Sequence, residues 1–297
     1  MFENLFKKKK KNQIDSIKKC EENKAENKDE KIFNLTIEQI KNDFSEKCVK
    51  INFDCIDESI FISKLGGLPY LPNGENFPLD ENNEQMQLLL QINCEDLKSF
   101  DFCKLPKTGI LQFFIAKDKF YGWNSSLPTE QTGFKIRYFE KIDFSVKAED
   151  VKNKIIQNEE SKSPILEQNV KILFEESFST ISINNFNFDE IFVEIYNKLY
   201  GETKIETYFD LENTFIDKIT KTLGDFESKI AGFPSFCQDD PRCVKAEYKN
   251  FDYLLLQLAS DATNLQFGDN GIANFFIPKA NLQTEDFSKV LYNWDCY

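Results

Sequence analysis

The sequence predicts an α+β protein made of two similar halves, each with central apolar strands covered by helices. Three observations carry this prediction: short sequence blocks recur in the same order in the second part of the chain, the blocks include apolar runs typical of buried strands, and only a few segments show helical periodicity. The chain has 297 residues, of which 41% are apolar and 30 are Phe, so it can bury a large core.

Four recurring blocks indicate an internal duplication. They are 63–69 (SKLGGLP) and 228–234 (SKIAGFP), 88–91 (LLLQ) and 254–257 (LLLQ), 109–115 (GILQFFI) and 271–277 (GIANFFI), and 135–138 (KIRY) and 289–292 (KVLY). Because the order is the same and only the intervening lengths differ, we expect two copies of one supersecondary unit with loops of different length. The duplication therefore predicts a fold with two pseudo-symmetric halves.

The apolar runs of the blocks predict strands. Continuous runs of Leu, Ile and Phe bounded by turn residues suit central strands buried on both faces. The chain also stays apolar and aromatic over residues 291–297, so we expect its end to dock as a strand. Helices are needed to cover such strands.

Helical periodicity marks three amphipathic segments and a short fourth one. One begins at the capping-box residue Thr36 and extends toward Cys48; the second covers residues near 188–200, and the third ends at Gly224. On the second we expect Ile191, Ile195 and Leu199 to form the buried face, with Gly201 as the cap. A short helix is expected near 151–156.

We divide the chain into residues 1–32, a mobile Lys-rich tail; 33–144, the first repeat; 145–224, a polar connection with helices; and 225–297, the second repeat. The tail has almost no apolar residue after Phe6, so it cannot offset its ordering entropy by burial. A solvated tail is favoured, and weak contact of its lysines with an anionic membrane surface is the alternative.

Composition excludes several classes of protein. With no His, the chain cannot form a Ser-His-Asp triad, a Cys-His dyad or a His-ligated zinc site. A net charge of −13 opposes nucleic-acid binding, and no apolar run approaches the roughly 20 residues of a membrane span. No C-x-x-C pair and no secretory signal occur, so we expect reduced thiols, no cofactor and a cytoplasmic location.

Five motifs resemble the YwqG-like family of uncharacterised bacterial proteins, and the resemblance extends over residues 60–297. The motifs are 66–72 (GGLPYLP), 88–93 (LLLQIN), 109–115 (GILQFFI), 238–242 (QDDPR) and 268–277 (GDNGIANFFI). The resemblance implies a duplicated α+β fold and a cytoplasmic setting, but no activity or catalytic residue. This chain has Ser228 where the family usually has His, and Ala231 where a second Gly is usual.

The block 238–242 breaks the similarity between the halves and is the first candidate site. Arg is rare in this Lys-rich chain, so Arg242 could grip a carboxylate or phosphate through two hydrogen bonds. The alternative is that Arg242 ties down its own loop through Asp239 or Asp240. The candidate ligand- or partner-binding residues are Gln238, Asp239, Asp240, Arg242, Asp269, Asn274, Gln257 and Lys229.

Other polar residues allow further interpretations. Asp239, Asp240 and Asp269 could bind Mg²⁺ or Ca²⁺, although Asp269 also belongs to a typical tight turn. The glycines beside Lys64 and Lys229 could cradle an anion or form turns locked by the following prolines. The amides Gln91, Gln112, Gln257 and Asn274 either bond to buried backbone or line a cleft.

We therefore predict a non-catalytic module that binds a protein or a small-molecule ligand, with no metal site required. Its acidity would suit a basic protein partner, for instance a toxin that it neutralises. The alternative is a hydrolase-type enzyme that uses carboxylates and a divalent metal.

Overall fold

The computed structural model describes residues 30–156, 162–200 and 204–297. Most of the predicted Lys-rich tail and the predicted cap Gly201 lie outside these residues. The described helices are α1 (30–43), α2 (Ala148–Lys152), α3 (Phe188–Tyr200), α4 (Asn213–Thr222) and α5 (Lys279–Gln283). None of the described helices has the length and apolar character needed to cross a membrane.

The described chain forms two compact units. The helical unit contains α1, α3 and α4, and the sheet unit comprises Ser45–Phe186 and Gly224–Tyr297. Within the helical unit, the rings of Phe33 on α1 and Phe215 on α4 lie 4.7 Å apart.

The predicted helices are present, with three corrections. The short helix expected near 151–156 lies earlier, at Ala148–Lys152. In α1, Thr36 does not cap the helix but lies inside it, where its hydroxyl donates to the carbonyl of Ile32, and Cys48 lies on a strand instead. In α3, the buried face is formed by three aromatic residues rather than by the predicted Ile191, Ile195 and Leu199. These residues are Phe188, Phe192 and Tyr196. Both sets have helical spacing, and the larger rings bury more apolar area.

The sheet unit contains one antiparallel sheet of ten strands. They are β1 (Ser45–Ile56), β2 (Lys64–Leu65), β3 (Gln87–Asn93), β4 (Ile110–Ile115), β5 (Phe134–Phe139), β6 (Val170–Thr180), β7 (Lys229–Ile230), β8 (Tyr253–Ala259), β9 (Ile272–Ile277) and β10 (Leu291–Asp295). Their order is β10-β9-β8-β7-β1-β6-β2-β3-β4-β5. The apolar runs of the repeated blocks are strands, as predicted, and so is the C-terminal segment. The protein thus combines helices with a dominant antiparallel sheet.

The two central strands, β1 and β6, were not predicted. They pair with each other from Ser45 opposite Thr180 to Ile56 opposite Val170. β6 lies within residues 145–224, the segment that we expected to be a polar connection with helices. The strand is hidden in the sequence because only Val170, Ile172 and Ser179 of its 11 residues are buried, which gives neither a long apolar run nor a sustained alternation.

The chain crosses between the two ends of the sheet at this central pair. β1 precedes β2 in sequence but hydrogen-bonds to β7, whereas β6 precedes β7 but hydrogen-bonds to β2. We call β2–β5 the first half of the sheet and β7–β10 the second half. Each half is therefore hydrogen-bonded to a central strand that directly precedes the other half in the sequence.

The two halves share one strand order and one irregularity. In the first half, the pairing of β3 with β4 shifts register between Leu88 and Leu90. In the second half, the pairing of β8 with β9 shifts between Leu254 and Leu256. The position of this bulge is therefore the same relative to the LLLQ run.

The core lies between the two halves. Phe113 on β4 contacts Phe275 on β9 with ring centroids 5.2 Å apart, and Phe275 stacks on Tyr292 of β10 at 4.4 Å. We had expected helices to cover the central strands. Instead, the inner faces of the two halves cover each other.

The outer faces are covered mainly by loops and short helices. On the first half, α2 contributes Val151, and the loops contribute residues such as Tyr70 and Phe77. On the second half, Phe236 and Tyr248 fill the corresponding role, the latter from a 3-10 helix over Ala246–Asn250. This arrangement leaves room for loop-built sites on the outer faces.

Candidate functional site

The predicted loop 238–242 is organised by a buried ion pair. The Arg242 side chain donates to both carboxylate oxygens of Asp240, through Nε at 2.9 Å and Nη2 at 2.7 Å. Its guanidinium lies over the rings of Phe276 and Phe186, with centroids at 4.6 and 5.0 Å. Asp240 is 1% exposed and Arg242 is 7% exposed. Arg242 thus fastens its own loop, which was the alternative interpretation of this residue.

The neighbouring polar residues are tied to the C-terminal strand. Gln238 donates from its backbone N–H to Asp295 at 2.9 Å and from Nε2 to the carbonyl of Cys296 at 2.8 Å. Burial, together with the nearby charges of Asp239 and Asp240, raises the pKa of the Asp295 carboxyl, while the backbone N–H groups of Cys237 and Gln238 oppose this shift. Asp295 organises the loop through these contacts and was not among the residues predicted from the sequence.

The proposed metal-binding carboxylates do not form a metal site. Asp239 and Asp269 are exposed, whereas Asp240 is taken up by Arg242. Within residues 30–156, 162–200 and 204–297, no three Cys, Asp or Glu side chains are grouped so that they could hold a metal ion.

The remaining predicted residues of the second half form a buried polar network. Lys229 pairs in register with Gln257, and Gln257 with Asn274, and all three are fully buried. Gln257 accepts from the N–H of Ser235 at 2.8 Å and donates to the carbonyl of Glu227 at 2.7 Å. Asn274 donates to the carbonyl of Ser235 at 3.0 Å.

The first half repeats this network with Gln91 and Gln112. Gln91 accepts from the N–H of Tyr70 at 2.8 Å, and Gln112 donates to the carbonyl of Tyr70 at 2.6 Å. The side-chain oxygens of Gln112 and Asn274 are both buried without a hydrogen-bond partner. The four amides therefore bind backbone and line no open cleft.

The two halves differ at their buried lysines. Lys229 is bonded to the carboxylate of Asp225, whereas Lys64 donates to two neutral oxygens, the Ser59 carbonyl at 2.9 Å and Asn169 Oδ1 at 3.3 Å. Burial lowers the pKa of Lys64 to about 8, against the opposing charges of Asp57 and Glu58. Burial also lowers the pKa of Lys229, and Asp225 opposes that shift.

Next to Lys64, the first half of the sheet carries a cavity of about 460 Å³. Its lining combines an apolar part, several side-chain amides, two lysines and a single carboxylate. The lining residues are Glu58, Gly67, Leu68, Phe77, Gln85, Met86, Gln87, Leu88, Lys117, Lys152, Ile155, Ser163, Gln168 and Asn169. This size and mixture of groups are typical of sites for small organic ligands.

Gly67 and Asn169 shape one wall of the cavity. Asn169 has a positive φ of 60°, and a Cβ on Gly67 would lie 1.8 Å from Asn169 Oδ1. Gly67 itself has φ +77° and donates its N–H to Gln168 Oε1 at 2.6 Å. The glycine is thus required both for its backbone conformation and for the close approach of the Asn169 amide.

Residues 63–296 match the family model described as "Domain of unknown function (DUF1963)". The chain belongs to this family. The match includes β2 through β10 and therefore both halves of the sheet, Lys64 and the lining of the cavity apart from Glu58. No curated protein matches the chain significantly.

The cavity could be predicted only in part from the sequence. The block with Lys64 and Gly67 was singled out there, but Gln168 and Asn169 lie in the segment expected to be a polar connection. One signal was present: Asn is the non-glycine residue that best tolerates a positive φ, and Asn169 directly precedes the buried strand residue Val170.

Proposed function

We propose that this DUF1963 protein is a non-catalytic binding protein that holds a small ligand in the cavity beside Gly67 and Asn169. The observation that carries the proposal is the cavity itself. Its volume of about 460 Å³ lies within the roughly 300–1,000 Å³ of small-molecule sites, and it offers apolar contact together with a few polar groups. The proposal moves the site from the loop 238–242 to the first half.

The similarity of the two halves supports this choice. We infer that they descend from one duplicated unit, as the YwqG-like motifs also suggest, and that the protein works in the cytoplasm. A duplicated scaffold provides the same framework twice, so a specific function is expected where the copies differ. One such difference is that Lys229 pairs with Asp225 whereas Lys64 has neutral partners, and Lys64 is the member of this pair of lysines that lies next to the cavity, through its contact with Asn169.

A steric variant tests the proposal. Leu68 lines the cavity, and Phe233 occupies the matching position of the second repeated block. The purified protein is incubated with a small-molecule extract of cells and examined by native mass spectrometry. We expect a bound small molecule on the wild type and on Phe233→Trp, but not on Leu68→Trp. No adduct on the wild type, or equal adducts on all three proteins, would refute the proposal.

A further inference from the structure

Two lysines and one carboxylate line the cavity of a protein whose net charge is −13. Lys117 and Lys152 are the cations and Glu58 is the anion. Such a local excess of positive charge in an acidic protein attracts an anionic group and repels a cationic one.

The backbone N–H of Gly67 provides a place for that anionic group. This N–H is bonded to Gln168 Oε1 at 2.6 Å, and both residues line the cavity. Gln168 is exposed, so its side chain can turn away into solvent at little cost. An oxygen of a ligand can then take the place of the amide oxygen, because a charged acceptor makes the stronger hydrogen bond.

Lys64 adds a second source of positive charge behind the wall of the cavity that Gly67 and Asn169 form. Its ammonium lies against Asn169 Oδ1, which separates it from the cavity, and no carboxylate of the described residues forms an ion pair with it. The charged groups that face it are Asp57 and Glu58 from the connection after β1, and Lys171 opposite it on β6. An anion bound beside Asn169 would lower the free energy needed to keep Lys64 protonated.

Five of the remaining lining residues are apolar, and they lie beside the polar residues Gln85, Gln87 and Ser163. Leu68, Phe77, Met86, Leu88 and Ile155 provide aliphatic and aromatic surface within the same cavity. A ligand that satisfies both parts has an apolar tail and an anionic end.

We propose that the ligand of this cavity is an amphiphilic anion, with its carboxylate or phosphate at the corner formed by Gly67, Gln168 and Asn169 and its apolar tail against Phe77 and Met86. The inference rests on the proposed function and names the chemical class of its ligand. Lys64 acts in it as a positioning residue that supplies charge through Asn169.

Calorimetric titration of the full chain with decanoate, decyl phosphate and decanol, below their aggregation concentrations, tests the inference. We expect one site for either anion and binding of decanol at least tenfold weaker, since decanol has the same tail without the charge. Comparison of the two anions identifies which end group the corner prefers.

Variants separate the charge of Lys64 from its structural role. At pH 7, Lys64→Met should weaken decanoate binding about fivefold, while Lys64→Arg, which keeps the charge, and Lys229→Met in the other half should change it less than twofold. Decanoate stays ionised above pH 7, so wild-type affinity should fall by a similar factor between pH 7 and 10 as Lys64 loses its proton. Lys64→Met should lose this step, which a purely structural role would not produce.

The outcomes distinguish this inference from the proposed function. Equal binding of decanol and decanoate would overturn the anionic ligand but keep a binding cavity. Absence of binding by all three compounds, with an adduct still seen by native mass spectrometry, would also overturn only the ligand class. Absence of both the adduct and binding would overturn the two proposals together.

Discussion

Lys64 and Lys229 occupy matching positions in the two halves of the sheet. Lys64 lies opposite Gln91 and Lys229 lies opposite Gln257, and both lysines are fully buried. Only Lys229 contacts a carboxylate, that of Asp225. A buried charge is costly without a counter-charge in contact with it, so the same framework carries an ion-paired ammonium in one half and, beside the cavity in the other half, an ammonium that, among the described residues, only the more distant charges of Asp57 and Glu58 oppose.

The first prediction is that Lys64 makes stability depend on pH. Its pKa is about 8 in the folded protein and 10.5 in its ordinary environment, so between these values the unfolded chain binds a proton that the folded chain does not. The free energy of unfolding should therefore rise with pH in this window, by up to about 3 kcal/mol from this residue. Urea unfolding at pH 7.5 to 10.5 measures the effect.

Comparison with variants isolates the lysine from the other groups that titrate in this range. The free energy of unfolding of the wild type minus that of Lys64→Met should increase with pH, whereas the same difference for Lys135→Met should stay constant. Lys135 is exposed on β5 and serves as the matched control. A constant difference for Lys64→Met would show that this lysine keeps an ordinary pKa.

The second prediction concerns the glycine that shapes the wall of the cavity. Gly67 and Gly74 both have positive φ, so Ala should cost about 1 kcal/mol of backbone strain at either position. A Cβ at Gly67 would also collide with Asn169, whereas at Gly74 nothing lies within 4 Å. Gly67→Ala should therefore lower the free energy of unfolding by about 2 kcal/mol more than Gly74→Ala. Equal losses in chemical denaturation would argue against the observed approach of Asn169.

The third prediction is that Arg242 stabilises the fold. Arg242→Met leaves Asp240 buried without a counter-charge and should cost about 3–5 kcal/mol. The double variant Asp240→Asn/Arg242→Met should cost less than Arg242→Met alone, because no charge is then left buried. Arg137→Met is the control, with an expected loss of about 1 kcal/mol, since Arg137 pairs with an exposed Glu75. Identical losses for the single and double variants would exclude the ion pair as the cause.

The fold could be predicted where local sequence determines local structure. The LLLQ and FFI runs are strands, because apolar residues between turns have no other way to be buried. β1 and β6 were missed, because their charged residues are explained only by their pairing, as in the contact of Lys47 with Glu176 at 2.7 Å. Such cross-strand partners are far apart in the chain and leave no periodic signal.

The candidate site, too, could be predicted only where its contacts join residues that are close in the sequence. The alternative interpretation of Arg242, a bond to Asp240, needed only two neighbouring residues and could be stated from the sequence. The wall of the cavity needs Gly67 and Asn169 together, and the backbone N–H of Gly67 donates to the side chain of Gln168, 101 positions away in the sequence. At the position where Ala231 replaces the usual Gly, the backbone conformation is kept: Ala231 adopts φ 62° and Gly66, its counterpart in the first half, has φ 61°.

The last prediction compares the two buried glutamines, which hold the loops of the two halves. The side chain of Gln91 accepts from Tyr70 and Gln112 and donates to the carbonyls of Ile60 and Ile62, whereas the side chain of Gln257 bonds only to the backbone of Ser235 and Glu227 among the described residues. Each backbone group left unpaired in the interior costs about 1–3 kcal/mol.

Replacement by Leu keeps the approximate volume but removes these bonds, so the number of orphaned backbone groups decides the result. Gln91→Leu should lower the free energy of unfolding by about 2 kcal/mol more than Gln257→Leu, because it orphans three backbone groups rather than two and removes an acceptor from Gln112. Urea unfolding at pH 7 measures both variants. A larger loss for Gln257→Leu would mean that the second half, not the first, depends more strongly on its amide network.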